Sequence, residues 1–334
     1  MLKTVKIAIL IRTIFKLRTG NIFRMILYKL SLKTCISGTR RLAAEIPPGD
    51  FFRLESNLSN KSVAAEGKVF PIFFGWYQSE TSFQEVPNWH RSFLTCQSVT
   101  DPSLPWWGIS DFDSGAGDIK TIWEISRFNW LLKLAQLVKL GDKSAISTMN
   151  HWLTDWVEKN PPYSGPNWKC GQESSIRILN TALSAAIIGQ HDNPRPALIM
   201  FVRAHLKRVA STIQYSIAQQ NNHAVSEAAG LFVGGSWLAH INYPEGKKYY
   251  EAGLNLLERS ARDLIEPDGS FSQHSVTYHR LVTNIYSVVE YWRRLLDLPT
   301  FNLSLYERLR AASLWLYHMT QPKTGFAPNI GGND

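Results

Sequence analysis

From position 118 onward, apolar residues recur every three to four places and polar residues fill the intervals. That is the period of a helix with one buried face. It predicts helices over about 119–140, 143–159, 171–189, 196–218, 222–240, 247–265, 275–296 and 304–320, with Gly, Pro or Asn in the connections. Long helices in succession suggest stacked helical hairpins and an all-α architecture. Periodicity alone does not separate a ring of hairpins from a solenoid of tetratricopeptide type. Residues 35–118 have another texture: Gly, Pro and Ser clusters separate short aromatic segments such as 69–77. PNWHR (87–91) and LPWWG (104–108) read as loops, where binding groups tend to sit, so His90, Trp106 and Trp107 are candidate ligand contacts.

Two stretches interrupt the helical pattern with polar clusters. In QQNNHAVSEAAGLF (219–232), Asn221, Asn222 and His223 stand at a helix start, where Asn is a favoured cap and unpaired N–H groups attract anions. Ala224, Val225, Ala228, Ala229, Leu231 and Phe232 supply the apolar stripe behind them. Glu227 follows His223 by four residues, so the two share a face and can pair. A helix this rich in Ala and Gly can pack close to its neighbours and open its polar end into the cavity they form. In PDGSFSQHSVTYHR (267–280), Pro-Asp-Gly is a turn, Ser275 can cap the next helix, and Tyr278 and His279 fall in its first turn. Plainer readings stand beside these. Asn-Asn-His can be a cap and nothing more. Glu227 can be a structural partner for an Arg or for His223, and His274 and His279 hydrogen-bonded neighbours of Tyr278. Glu173 and Arg177, four apart, read as a simple pair on one helix.

Taken in order, DIKTIWEISRF (118–128), GPNWKCGQESSIRILN (165–180), NNHAVSEAAGLF (221–232), DGSFSQHSVTYHR (268–280) and TGFAPNIGGND (324–334) resemble the heparinase II/III-like polysaccharide lyases, which include alginate lyases. The resemblance runs from about Trp76 to the last residue. It implies that the helices curl into an incomplete α/α toroid with a central groove. Charge and texture, taken with the resemblance, divide the chain into a basic amphipathic segment (1–41), a loop-rich region packed on the toroid (42–118), and the toroid domain (119–334). In the family a C-terminal β-sandwich closes one side of the cleft and contributes a further catalytic His, often with a metal site. The last motif looks like the junction to that sandwich, and the sequence stops at Asp334. The expectation is the helical half of a lyase, with the sandwich missing, activity impaired, and no cofactor or metal of its own.

The chemistry the resemblance implies is β-elimination on an acidic, uronic-acid-containing polysaccharide. The C5 proton beside the carboxylate is removed and the 4-O glycosidic bond breaks. Abstraction places a second negative charge on the carboxylate group, so the site must neutralise that group and supply a base and an acid. Asn222 and His223 fall where the family keeps its carboxylate-binding Asn and the adjacent His. Tyr278 falls where it keeps its catalytic Tyr. A phenol of ordinary pKa is only about 0.1% ionised at pH 7, so donation to the leaving oxygen is the easier role and service as base needs proton hand-off. Asn221, Glu227, Gln273, His279, Trp168, Trp107 and His90 are the expected substrate contacts, with Trp168 either a groove wall or plain core. Two rivals stay open. A hydrolase on a similar helical toroid would use two carboxylates such as Glu227 and Asp268, the latter in a cluster with Asp263 and Glu266. A non-catalytic module would bind a glycan or a protein without turnover.

Charge changes the picture less than its total suggests. The net charge is +9, but residues 1–41 hold ten Lys or Arg and no Asp or Glu, so the rest of the chain sits at −1. The body therefore offers no electrostatic argument for an acidic polymer or for nucleic acid, and nucleic-acid motifs are absent. Within 1–34 the apolar run 7–11 is broken by Arg12, too short for a signal-peptide core or a membrane span. The pattern fits one or two basic amphipathic helices, which either contact an anionic membrane surface or pack on the body with their basic side solvated. Compartment does not follow from the sequence, although most of the family works in the periplasm or outside the cell. Cys35, Cys96 and Cys170 form neither a metal-ligand pair nor a disulfide framework and read as free thiols. Twelve Trp residues are many, and most belong in a helical core.

Overall fold

A computed structural model describes residues 19–34, 38–54 and 85–332, with the backbone of a small hairpin, β1 (Ile72–Phe73) paired antiparallel with β2 (Tyr77–Gln78). Residues 1–18, Cys35 and most of the aromatic segment 69–77 lie outside the described residues. Among the described residues, helix α1 (Thr19–Lys33) comes first. A second two-residue hairpin, β3 (Phe112–Asp113) and β4 (Gly117–Asp118), precedes the helical region. There follow α2 (Lys120–Ser126), α3 (Asn129–Lys139), α4 (Ser144–Lys159), α5 (Gly171–Ile187), α6 (Pro196–Gln219), α7 (Asn222–His240), α8 (Glu245–Leu264), α9 (Val276–Leu295) and α10 (Leu303–Met319).

Seven of the eight expected helices lie within two residues of their predicted ends. The eighth, over 119–140, is two helices. Phe128 adopts φ +68°, a left-handed conformation that ends α2. The turn sends the Phe128 ring into the core against Trp130, Trp156 and Phe201. The side-chain amide of Asn180 donates to the Arg127 carbonyl that the break leaves without a helical partner (2.7 Å). An apolar period runs through both helices, so periodicity does not reveal the corner.

The loop-rich region is tied to the helices by buried amides. Asn150 on α4 accepts from the backbone N–H groups of Phe51 and Phe52 at 3.0 and 2.9 Å and donates to the Phe52 carbonyl. Asn167 donates to the Trp89 carbonyl at 3.0 Å, and the Trp89 indole donates to Asp155 at 2.7 Å. Trp89, Trp130, Trp152, Trp156 and Trp168 join Phe128 and Phe201 in one aromatic core, where each buried ring contributes about 1.5–3 kcal/mol.

Helix α7 is the centre of the helical region. It packs against α5, α6, α8 and α9. All its residues are buried except His223, Ala239 and His240. Small residues permit this. A Cβ on Gly253 of α8 would lie 2.3 Å from the Phe232 nitrogen, and one on Gly235 of α7 would lie 2.3 Å from the Tyr250 nitrogen. Backbone meets backbone at both points, so a methyl group forces the helices apart. Gly253→Ala is expected to cost about 2–3 kcal/mol by equilibrium denaturation, with Gly38→Ala, where a Cβ meets nothing within 4 Å, as the near-neutral control.

Candidate functional site

The site is built where two helices begin. Helix α6 ends at Gln220, which is left-handed at φ +50°, and α7 starts two residues later. Asn221 caps α7, its side-chain oxygen accepting the His223 N–H at 3.0 Å. Ser275 caps α9 in the same way, its hydroxyl accepting the Tyr278 N–H at 3.3 Å and donating to the Gly332 carbonyl at 2.6 Å. Asp268 closes the Pro-Asp-Gly turn, accepting from the N–H and hydroxyl of Ser270 at 2.9 and 2.7 Å.

The two helix starts are fastened together. The Asn222 N–H, one of the donors a helix leaves unpaired at its N-terminus, donates to the Gln273 side-chain oxygen at 2.9 Å. The Ser272 hydroxyl donates to the Gln220 carbonyl at 3.2 Å. The Asn222 side chain, 3% exposed, donates to Gln172 on α5 at 2.8 Å. Asn221, Asn222, His223, Gln273 and Tyr278 thus line one open groove of about 1160 Å³. Its other walls come from α2, α5, α9 and the segment around 327–332.

The groove is rich in amides and cations. Asn129, Asn180, Asn284, Asn329 and Gln172 line it, with Lys120, Arg127 and Arg280. Its one carboxylate among the described residues is Glu173. That group is held by Arg127, whose Nε and second terminal nitrogen reach its two oxygens at 2.8 and 3.0 Å. The pairing corrects the expectation of a Glu173–Arg177 bridge. Arg177 points inward, donating to the Asn167 carbonyl at 2.5 Å and to His205 at 2.9 Å, because a buried guanidinium needs acceptors for its whole fork.

Behind the groove floor, Glu227 is 3% exposed. One carboxyl oxygen lies 3.9 Å from His223 Nδ1, and the other is buried with no hydrogen-bond partner. Cys170 Sγ also lies 3.9 Å from His223 Nδ1. Burial pushes the Glu227 carboxyl up to about 8, and the neighbouring Cys170 thiol adds to the rise. Gly171 makes room for the carboxyl: a Cβ there would fall 2.7 Å from it.

Other expected contacts lie elsewhere. Trp168 is core: fully buried, it donates to the Asn160 carbonyl and packs its ring on Tyr163 and His205. Trp107 lies outside the groove lining, with the Arg40 guanidinium 3.6 Å above its ring. His90 pairs with Asn160 at 3.0 Å, and burial lowers its pKa. His279 faces away from the groove, bonded to the Ala312 carbonyl at 2.9 Å and stacked on Trp315. Loop position and adjacency in sequence pointed to these residues, and neither sets the direction of a side chain. Glu227 is buried and Asp268 is occupied in an exposed turn, and neither lines the groove. Lys120, Trp123, Arg127, Gln172, Asn180, Arg280 and Asn284 were not anticipated as lining residues. The first five lie within the stretches 118–128 and 165–180 that carried the family resemblance, which was the available signal. No cluster of three or more His, Cys, Asp or Glu placed to hold a metal occurs among the described residues.

A family model described as the heparinase II/III N-terminus matches residues 80–331. The chain belongs to this family. Among solved structures, heparinase III aligns with 93% of this chain and 47% of its own, at 15% identity and a TM-score of 0.51. A heparan sulfate lyase from Pedobacter heparinus aligns with 67% of this chain and 35% of its own, at 19% identity and a TM-score of 0.47. The likeness to heparinase III carries the fold, the incomplete α/α toroid of the helical half. The chain spans less than half the length of these two structures. A search of curated proteins finds no match.

The raised Glu227 carboxyl has a consequence for stability. The native heparinase-family domain keeps a proton that the unfolded chain releases near 4.5, so the unfolded state binds fewer protons between about 4.5 and 8. Stability is expected to fall as pH rises through that window, by roughly a few kcal/mol. In Glu227→Gln this component of the slope disappears, as denaturant midpoints measured from pH 5 to 9 will read out.

Proposed function

We propose that the chain is the helical half of a polysaccharide lyase that cleaves a uronic-acid-containing polymer by β-elimination. The observation that carries the reading is that Asn222, His223 and Tyr278, from two helix starts distant in sequence, line one groove. In this reading the Asn222 amide and the His223 imidazole hydrogen-bond the uronate carboxylate. Those bonds strengthen as the C5 proton leaves and negative charge accumulates, which is where stabilisation accelerates the step. Tyr278 takes part in the proton transfers and donates to the departing 4-oxygen. Gln273 and Gln172 act on Asn222 by holding its backbone and its side-chain amide.

The groove's charge supports a lyase over a hydrolase. A two-carboxylate hydrolase needs a pair of carboxyl groups facing the sugar. The lining offers Glu173, which is held by Arg127 in a cluster with Glu124, and neither Glu227 nor Asp268. Amides and cations suit an anionic polymer, although the domain beyond residue 41 is close to neutral. Local complementarity in the groove, and not the field of the whole molecule, would then bind the substrate.

Incubation with heparan sulfate and with alginate tests the proposal. The expected product carries a C4–C5 double bond and absorbs in the near ultraviolet. Tyr278→Phe should abolish that signal, and Asn222→Ala should lower the rate by about 100-fold or more, the scale of losing one donor aimed at developing charge. Full activity in Tyr278→Phe, or reducing ends released without ultraviolet absorbance, would exclude the mechanism.

A further inference from the structure

Helix α1 packs on the body through one face. Asn21 is buried there. Arg24 donates to Gln214 and to Asn21, both at 3.0 Å. The Tyr28 ring stacks on Tyr215 of α6 with centroids 4.0 Å apart, and Leu32 packs against the main core. These contacts fix which side of the helix faces outward.

The outward side is apolar. Phe23, Ile26, Leu27 and Leu30 are 61, 50, 47 and 50% exposed. Their spacing, i, i+3, i+4 and i+7, makes one continuous stripe opposite the packed face. Single exposed apolar residues are ordinary, but a contiguous stripe marks a docking surface. Lys29 and Lys33 are exposed beside it. They belong to the segment 1–41, which holds ten basic residues and no acidic one.

We propose that α1 is an interfacial anchor that seats this stripe in an anionic lipid surface, with Lys29 and Lys33 at the headgroups. Charge selects the occupant. A second copy would bring the same uncompensated positive charge to the contact and be repelled. A bilayer with anionic headgroups offers an apolar layer beneath a negative one, the complement of a stripe edged by lysines. At 15 residues α1 is too short to span a bilayer, so it would lie in the interfacial plane. No helix among the described residues is long and apolar enough to cross a membrane. No α1 residue lines the groove, so loss of lipid binding would leave the lyase proposal untouched.

Co-sedimentation of the full chain with vesicles tests it. One set is phosphatidylcholine alone; the other contains about a third phosphatidylglycerol. Partitioning to the anionic set is expected to exceed that to the neutral set by about tenfold or more, and to weaken as salt rises. Phe23→Ser with Leu27→Ser should lower partitioning by about tenfold or more with an unchanged melting temperature, because both side chains face solvent. Lys29→Glu with Lys33→Glu should weaken the preference for anionic vesicles by several-fold. Equal or negligible binding to both sets would overturn the proposal, as would unchanged binding by the Phe23/Leu27 variant. A lowered melting temperature in that variant would assign the stripe to another segment of the chain. A dimer that disappears in the variant without lipid would assign it to a second copy.

Discussion

Helix α7 is enclosed on nearly every side, and that enclosure constrains everything around it. A helix packed against four others can carry polar chemistry only at its open ends, and the end that meets the groove is its first turn. Asn221, Asn222 and His223 occupy that turn. The Ala- and Gly-rich body behind them lets α8 approach to backbone contact at Gly235 and Gly253. Close packing of the body and an open polar terminus are therefore two consequences of one composition. The packed part of the helix holds its polar first turn still, an advantage for any site that must aim hydrogen bonds at a ligand.

The second helix start is brought to the first by hydrogen bonds, not by a shared element. Gln273 and Ser272 of the turn before α9 reach the α6–α7 corner, where Asn222 and Gln220 have backbone groups unused by helical bonding. Helix ends need such partners, and here they come from the segment that leads to Tyr278. Among the described residues the groove lining holds one carboxylate, Glu173, paired with Arg127, while Glu227, also buried, lies outside the lining. What faces a ligand is a set of amides, an imidazole, a phenol and cations. The heparinase II/III family membership and this inventory are separate observations, and they point the same way.

Charge is distributed by region. Beyond residue 41 the chain is nearly neutral, and the groove's cations are local. The basic excess lies in the N-terminal segment, whose helix α1 turns four apolar side chains away from the body. Substrate recognition and placement in the cell would then be served by different parts of the molecule.

How much was legible in the sequence follows from the range of the interactions involved. Helix α7 was readable to the residue, because its cap, its apolar stripe and its end are all set by neighbours within a turn. The same holds for the Ser275 cap and the Asp268 turn. The corner at Phe128 was not readable, since its left-handed backbone is favoured by aromatic partners such as Trp156 and Phe201, far along the chain. Trp168 and His279 show the same limit for single residues: each lies within a stretch that carried the family resemblance, yet contacts with Tyr163, His205 and Trp315 draw it into the core. Glu173 was within helical reach of Arg177 but took Arg127, whose two nitrogens meet both its oxygens. The sequence by itself determined the helices, their caps and the residue types available for chemistry, because these depend on local backbone and side-chain preferences. Only the tertiary structure decided which side chains face the groove, because that depends on contacts between segments whose mutual orientation no local pattern encodes.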